Sequence, residues 1–445
     1  MSEFIDKFIQ KAQYSDNKID NELYSKYDVK KGLRNEDGTG VLVGLTKIAD
    51  VVGYKKENNK KIDCKGELYY RGIAVSDIIN KRQKGQRFLF EETCFLIIFG
   101  YLPNEKELEA FKQEISQRYE LPANYLESKI LGFPSENLMN KLQQEVLMLY
   151  SFDDDPDNIT PKETMYKGLN LIAKIPSIVC YAYRTKVHYF DNESLFIHHI
   201  RPDLSIAENI LYLLRDDKQF TAKEAEVLDM CLVLHADHGG GNNSTFTNVV
   251  ISSTGTDIYS SFAGAIGSLK GPRHGGANLA VMNQMQQVID QIGLNASDEQ
   301  INEIIEKILD KQFNDNTGLI YGIGHAVYTL SDPRCEILRE QCKELAIEKN
   351  RKAEFDFYHR FEKMAIAAIE KRKNIHVCAN VDFYSGLVYD MLSIPRELYT
   401  LMFVVGRTVG WLAHNIENKL YADKIIRPAA KYVGETRDYV SLKDR

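Results

Sequence analysis

Leu234-His235-Ala236-Asp237-His238-Gly239-Gly240-Gly241-Asn242 closes an apolar run that begins at Val227. Val227-Leu-Asp-Met-Cys-Leu-Val-Leu234 is apolar enough for a buried helix. That helix is expected to stop at the three glycines, because glycine takes the positive φ that ends a helix and lets a ligand approach the backbone. His235 and His238 stand three residues apart, so both are predicted on one face of the last turn. Downstream, Ser260-Ser-Phe-Ala-Gly-Ala-Ile-Gly-Ser-Leu269 is rich in small residues, which permits close helix packing. It leads into a second glycine-rich break, Gly271-Pro-Arg-His274-Gly-Gly-Ala-Asn278. A single helix-end histidine is ordinarily a cap or a solvated residue. Three of them within forty residues, beside flexible backbone, read as a site. His-x-x-His is also a zinc pattern. Neither a Cys pair nor a glutamate at the zincin position accompanies it, so no metal is expected.

The rest of the chain bounds what that site can be. At 445 residues, with ordinary apolar and charged fractions, there is room for more than one domain. The net charge of −7 argues against nucleic acid or an anionic membrane as partner, and leaves any anionic ligand to local positive groups. Seven scattered cysteines without a Cys-x-x-Cys read as reduced thiols in a cytoplasmic setting. The acid-containing start, Met1-Ser-Glu-Phe-Ile-Asp-Lys, has no long apolar core and is expected to be neither a signal nor a transit peptide. The longest hydrophobic run, Leu398 to Ile416, is broken by Arg407 and His414, so a buried or subunit-interface helix is expected rather than a membrane span.

Residues 1–38 are polar and read as a peripheral segment. Val41 to Val52 and Lys61 to Tyr70 suggest a short β-hairpin. Helical periodicity takes over after Gly72. Phe90 to Phe99 ends at Gly100, and Asn104-Glu-Lys-Glu107 is a capping box for a helix with Leu108, Phe111 and Ile115 on one face. Leu138, Leu142, Val146 and Leu149 form another stripe; Ser297-Asp-Glu-Gln300 caps a helix carrying Ile301, Ile304, Ile305 and Ile308. Pro156, Pro161, Pro176 and Pro202 are placed at or near turns. Asp153-Asp-Asp-Pro-Asp157 lacks the spacing of a calcium loop and reads as a turn with a helix cap. The fold class is all-α with one short β element. No Gly-rich phosphate or dinucleotide motif follows a strand, and Gly322-Ile-Gly324 alone is a weak signal.

Further candidates are His325 and Arg334 in Tyr321-Gly-Ile-Gly-His325-Ala-Val-Tyr-Thr-Leu-Ser-Asp332-Pro-Arg334, Asp382 in Asn380-Val-Asp382-Phe-Tyr-Ser385-Gly386, Arg407, and Arg427-Pro428. An arginine on an apolar helix face needs an anion, either an internal carboxylate or a ligand. Asp382 is either a helix cap or a base. Together these groups suit a reaction on a polycarboxylate, with a carboxylate to take a proton and neutral imidazoles to polarise carbonyls.

His235-Ala-Asp-His238, Gly271-Pro-Arg-His274-Gly-Gly-Ala-Asn278, Gly324-His325-Ala-Val with Asp332-Pro-Arg334, and Asn380-Val-Asp382-Phe-Tyr-Ser-Gly386 resemble, in order and spacing, the motifs of citrate synthases. The resemblance spans roughly residues 230–430 and extends weakly upstream through Tyr70-Arg-Gly-Ile73 and Gly168-Leu-Asn-Leu-Ile-Ala-Lys-Ile-Pro176. It implies a citrate-synthase-like two-domain helical fold and a homodimer. The large domain would comprise 39–277 and 392–445; a small domain, 278–391, would close over the substrates. It implies an acyltransferase of the tricarboxylic acid cycle that condenses acetyl-CoA with oxaloacetate to citrate and CoA, with no cofactor beyond its substrates. Asp382 matches the base that takes a methyl proton, His274 the thioester partner, and His325 the group polarising the ketone. His238, Arg334 and Arg407 match oxaloacetate ligands, with His235 supporting them, and Arg427 matches an arginine donated by the other subunit.

Lys371-Arg372-Lys373 either faces the CoA phosphates or is a solvated helix end. Ile375-His-Val-Cys-Ala379 departs from the Tyr-Pro-type turn of many members, so acyl preference is not read from the resemblance. A 2-methylcitrate synthase using propionyl-CoA therefore stands beside the first reading, since one methylene is worth only ~1–3 kcal/mol in a pocket. A silent scaffold on the same fold and a metal-dependent hydrolase are the readings from other classes.

Overall fold

The computed structural model describes the chain apart from residues 1–4, 8, 10–18, 58–59, 83–85, 87, 422–423 and 445. It divides into two compact units, Met1–Val43 with Ile426–Arg445, and Gly44–Ile425. The first holds a short helix, α1 (Glu22–Lys26), and a bridge between Arg34 and Gly40. Lys431 Nζ lies 5.4 Å from the Tyr27 ring centroid and so ties the two ends of the chain within that unit.

The second unit opens with an antiparallel sheet, β1 (Ala49–Glu57), β2 (Lys60–Tyr70) and β3 (Ile73–Ala74), in that order. Ala49 pairs with Tyr70 and Lys55 with Ile62, and the register shifts between Val52 and Tyr54. The expected hairpin is present, but its first strand starts at Ala49 rather than Val41. Residues 41–48 form no strand, and Leu42 and Leu45 stand exposed. Two glycines let this sheet press on a distant loop. A Cβ on Gly53 would lie 2.4 Å from the Val327 carbonyl oxygen, and one on Gly66 would lie 2.0 Å from that of Ser331. The Gly66 N–H donates to Ser331 Oγ at 3.1 Å. The hairpin is therefore a backing plate for the His325–Arg334 loop.

The unit's α-helices among the described residues begin with α2 (Val75–Asn80), α3 (Phe90–Phe99), α4 (Glu105–Ser116), α5 (Leu138–Leu149), α6 (Pro161–Phe190), α7 (Ile206–Leu214) and α8 (Ala222–His235). There follow α9 (Asn243–Ser252), α10 (Ile258–Lys270), α11 (Ala277–Ile292), α12 (Asp298–Leu309), α13 (Pro333–Glu348), α14 (Lys352–Lys373), α15 (Asp382–Met391) and α16 (Tyr399–Tyr421). Local chemistry explains many ends. Gly100 takes φ 88° after α3, and both expected capping boxes, at Asn104 and Ser297, are formed. Asp153–Asp157 is a turn, with Thr160 rather than an acid capping α6. Pro176 corrects the expectation of a turn, for it lies inside the 30-residue α6. Burial of the residues around it holds that helix together across the missing N–H.

Helix α16 is the axis of the core, buried over most of Tyr399–Asn415 and packed on α6, α8, α9 and α10. Gly168 on α6 admits Leu412 of α16, whose Cδ1 would lie 2.1 Å from an added Cβ. Small residues of α10 act as expected, since Gly264 admits Ile251 of α9 and Gly267 admits Gln143 of α5. No described helix is long and apolar enough to cross a membrane.

Candidate active site

Helix α8 ends at His235, before the glycines, and so corrects the placement of His235 and His238 on one helical turn. The stop is made by Asp237, whose Oδ1 accepts the Gly239 N–H at 2.7 Å, and by Tyr70, whose hydroxyl donates to the Val233 carbonyl at 2.9 Å. Gly410 of α16 lets the two backbones meet: a Cβ there would fall 2.2 Å from Asp237 Oδ2. The buried His414 Nε2 lies 3.3 Å from the same oxygen. The two histidines consequently part. His235 is buried, stacked on Phe403 with centroids 3.6 Å apart and hydrogen-bonded through Nε2 to the Tyr389 hydroxyl at 2.6 Å. His238 lies past the helix end, its ring 5.1 Å from that of His325 and 5.6 Å from that of Tyr328. Its buried Nε2 has no hydrogen-bond partner among the described residues. Burial, then Arg334 and its neighbours, holds the His238 imidazole well below its usual pKa and therefore neutral.

His274 sits in the turn between α10 and α11, with Nε2 accepting the Ser244 N–H at 3.3 Å. Ser244 lies in the first turn of α9. An N–H aimed at Nε2 requires a lone pair there, so the ring's proton resides on Nδ1. The pKa is pushed down to about 4 by burial and by Arg407. Of these two causes burial is the larger.

His325 has the opposite tautomer. Its Nδ1 accepts the N–H groups of Val327 and Tyr328, each at 3.0 Å, so Nε2 carries the proton. Tyr328 also stacks on this ring at 4.7 Å. The loop is fastened to the one before α15: Gly324 N–H donates to the Cys378 carbonyl, Asn380 N–H to that of Gly322, and Asn380 Nδ2 to that of Gly324, all within 2.9 Å. Gly322 and Gly324 have φ of 79° and 101°, which favours glycine at both. This pairing brings the His325 and Asp382 segments together. Asp382 opens α15 but does not cap it; Asn380 Oδ1 accepts the Asp382 N–H at 2.9 Å. The half-buried Asp382 carboxyl is pushed up to about 6 by burial, reinforced by Asp332 and opposed by Arg334.

The arginines differ. Arg334 is buried and grips Asp332 bidentately, Nε to Oδ1 at 3.0 Å and Nη2 to Oδ2 at 2.7 Å. Arg407 is equally buried, donates from Nε to the His235 carbonyl at 2.7 Å, and has no ion-pair partner among the described residues. Burial, with Arg334 acting in the same sense, lowers its pKa. Two buried guanidinium groups beside neutral imidazoles have the chemistry to hold an anion. Arg427 lies exposed in the other unit. Lys371, Arg372 and Lys373 are exposed at the end of α14, where Arg372 pairs with Asp310. No group of three or more His, Cys, Asp or Glu among the described residues is arranged to hold a metal ion.

Sequence reasoning missed Tyr328, Tyr389, Ser244 and the Asp237–His414 pair. Asp237 and Tyr328 lie inside motifs already singled out and His414 interrupts the apolar run, so these three carried a local signal; Tyr389 and Ser244 carried none that gave them a role.

A family model described as citrate synthase, C-terminal domain, matches residues 36–429. A citrate synthase of Deinococcus radiodurans is 34% identical over 382 residues, 85% of this chain and 93% of that protein. A 2-methylcitrate synthase of Shewanella oneidensis is 33% identical over 368 residues, 82% of this chain and 88% of that protein. In structure, a citrate synthase of Thermoplasma acidophilum, solved as a ternary complex with carboxymethyl coenzyme A and oxaloacetate, superposes with a TM-score of 0.75 at 27% identity. That match covers 93% of this chain and 99% of that one. Fold, motifs and relatives agree, and the chain belongs to the citrate synthase family, as an acyltransferase of that type.

Proposed function

We propose that the chain condenses acetyl-CoA with oxaloacetate and hydrolyses the resulting thioester to citrate and CoA. The observation that carries this reading is the pair of opposed tautomers, Nδ1–H on His274 and Nε2–H on His325, beside a carboxyl raised to about 6. Asp382 takes a methyl proton from the acetyl group while the electron pair moves onto the thioester oxygen. His274 Nδ1–H stabilises that oxygen as the enol forms. The enol carbon then attacks the oxaloacetate ketone, and His325 Nε2–H meets the oxygen that gains charge. Water cleaves the thioester and CoA leaves. Arg334, Arg407 and His238 hold the dicarboxylate, which removes the bimolecular search. The bidentate hold of Asp332 leaves Arg407 the stronger candidate of the two arginines.

In this reading the protein is a cytoplasmic homodimer, and Arg427 enters the partner's site. Residues 278–391 move as a small domain that closes over oxaloacetate, limiting idle thioester hydrolysis. Mixing Arg427→Ala with Arg407→Ala tests the shared site: under subunit exchange, restored activity supports it and continued inactivity removes it. A 2-methylcitrate synthase is the second reading, favoured by the Shewanella relative. Comparing kcat/KM for acetyl-CoA and propionyl-CoA with oxaloacetate, by release of the CoA thiol, decides between them. Turnover with neither would leave a silent scaffold.

A further inference from the structure

We propose that Tyr389 is a positioning residue for this condensation: through His235 it sets where Arg407 holds the oxaloacetate carboxylate relative to Asp382. The inference rests on the reaction proposed above. Arg407 is a buried guanidinium whose one hydrogen bond from Nε runs to a backbone carbonyl, that of His235, so the aim of its outer nitrogens follows that carbonyl. His235 in turn is held on two sides. Phe403 stacks on its ring, and Phe403 stands four residues before Arg407, on the same face of α16. Gly406 permits this closeness; a Cβ there would lie 2.8 Å from the His235 Cβ. On the other side the Tyr389 hydroxyl meets His235 Nε2 at 2.6 Å, with both residues fully buried. Tyr389 follows Asp382 by seven residues on α15, two helical turns along the same face. The helix that carries the base is thus joined, through one buried hydrogen bond and one imidazole, to the arginine that carries the anion. Both partners are neutral, so the link is short-ranged and directional and does not depend on screening by salt.

The test removes the hydroxyl and keeps the ring, which also packs on Tyr399. Tyr389→Phe is expected to melt within a few degrees of the parent. Its oxaloacetate Kd, by calorimetry, is expected to weaken about 3- to 10-fold, the loss of one hydrogen bond, while the KM for acetyl-CoA stays unchanged. His235→Gln, which keeps a polar atom for the hydroxyl, is expected to bind oxaloacetate more tightly than His235→Leu. Adding Tyr389→Phe to His235→Leu is expected to cause no further loss. The proposal is overturned if well-folded Tyr389→Phe binds oxaloacetate as the parent does, or if acetyl-CoA KM worsens by the same factor, as general loosening would produce. Should Tyr389→Phe not fold, equal oxaloacetate affinity of His235→Gln and His235→Leu overturns it instead. A parent protein that neither binds oxaloacetate nor releases CoA would remove the reaction itself, a result distinct from all of these.

Discussion

Ser244 donates its backbone N–H to Nε2 of His274 at 3.3 Å, so the imidazole carries its proton on Nδ1. With the pKa pushed down to about 4, His274 is expected to stay neutral from pH 5 upward. Nitrogen NMR of ring-labelled protein should show the Nδ1–H tautomer at pH 6 and protonation near pH 4. His274→Ala is expected to lower kcat by about 10²- to 10³-fold, the cost of one oxyanion donor, with oxaloacetate affinity little changed.

Asp382 must be ionised to act as base, and its pKa is pushed up to about 6. The activity should therefore fall as pH drops through 6, a limb that His274, already neutral there, does not set. The sign for stability is the reverse. A carboxyl raised above its unfolded value near 3.8 favours the folded state only while protonated, so stability declines as pH rises from about 4 to 6. Asp382→Asn should raise the stability at pH 8, by up to about 3 kcal/mol, and leave it unchanged at pH 3.5.

Two buried arginines should respond oppositely to truncation. Arg334→Leu strands the Asp332 carboxylate, which also caps α13 and accepts the Val381 N–H. It is expected to cost about 3–5 kcal/mol of stability in a urea titration. Arg407→Leu strands no ion-pair partner among the described residues. It should change stability little while raising the oxaloacetate KM about 10- to 100-fold, the loss of charge-assisted hydrogen bonds.

Gly410→Ala places a methyl group 2.2 Å from Asp237 Oδ2 and 2.5 Å from the Ala236 carbonyl oxygen. Neither backbone can retreat without moving His238. A loss of about 1–3 kcal/mol is expected, together with a lower kcat; a variant with parental melting temperature and rate would contradict this packing.

What was legible in the sequence was local. The capping boxes at Asn104 and Ser297, the Gly100 stop and the isoleucine stripe of α12 are written within a few adjacent residues. The four site motifs were also readable, since each packs several functional groups into a short stretch. What was not legible crosses the chain. Tyr389 meets His235 from 154 residues away, and Ser244 meets His274 from 30 away. Local rules also failed where tertiary contacts overrode them. The α8 helix stops before its glycines because Asp237 and Tyr70 end it first, and Pro176 survives inside α6 because its surroundings are buried.

The most direct measurement follows citrate and free CoA together after mixing the protein with oxaloacetate and acetyl-CoA, in parent and Asp382→Ala forms. Equal amounts of citrate and CoA from the parent, with none from Asp382→Ala although that variant still binds oxaloacetate, is the expected result. Near-parental turnover by Asp382→Ala, or no CoA release by the parent from either acetyl-CoA or propionyl-CoA, would contradict it.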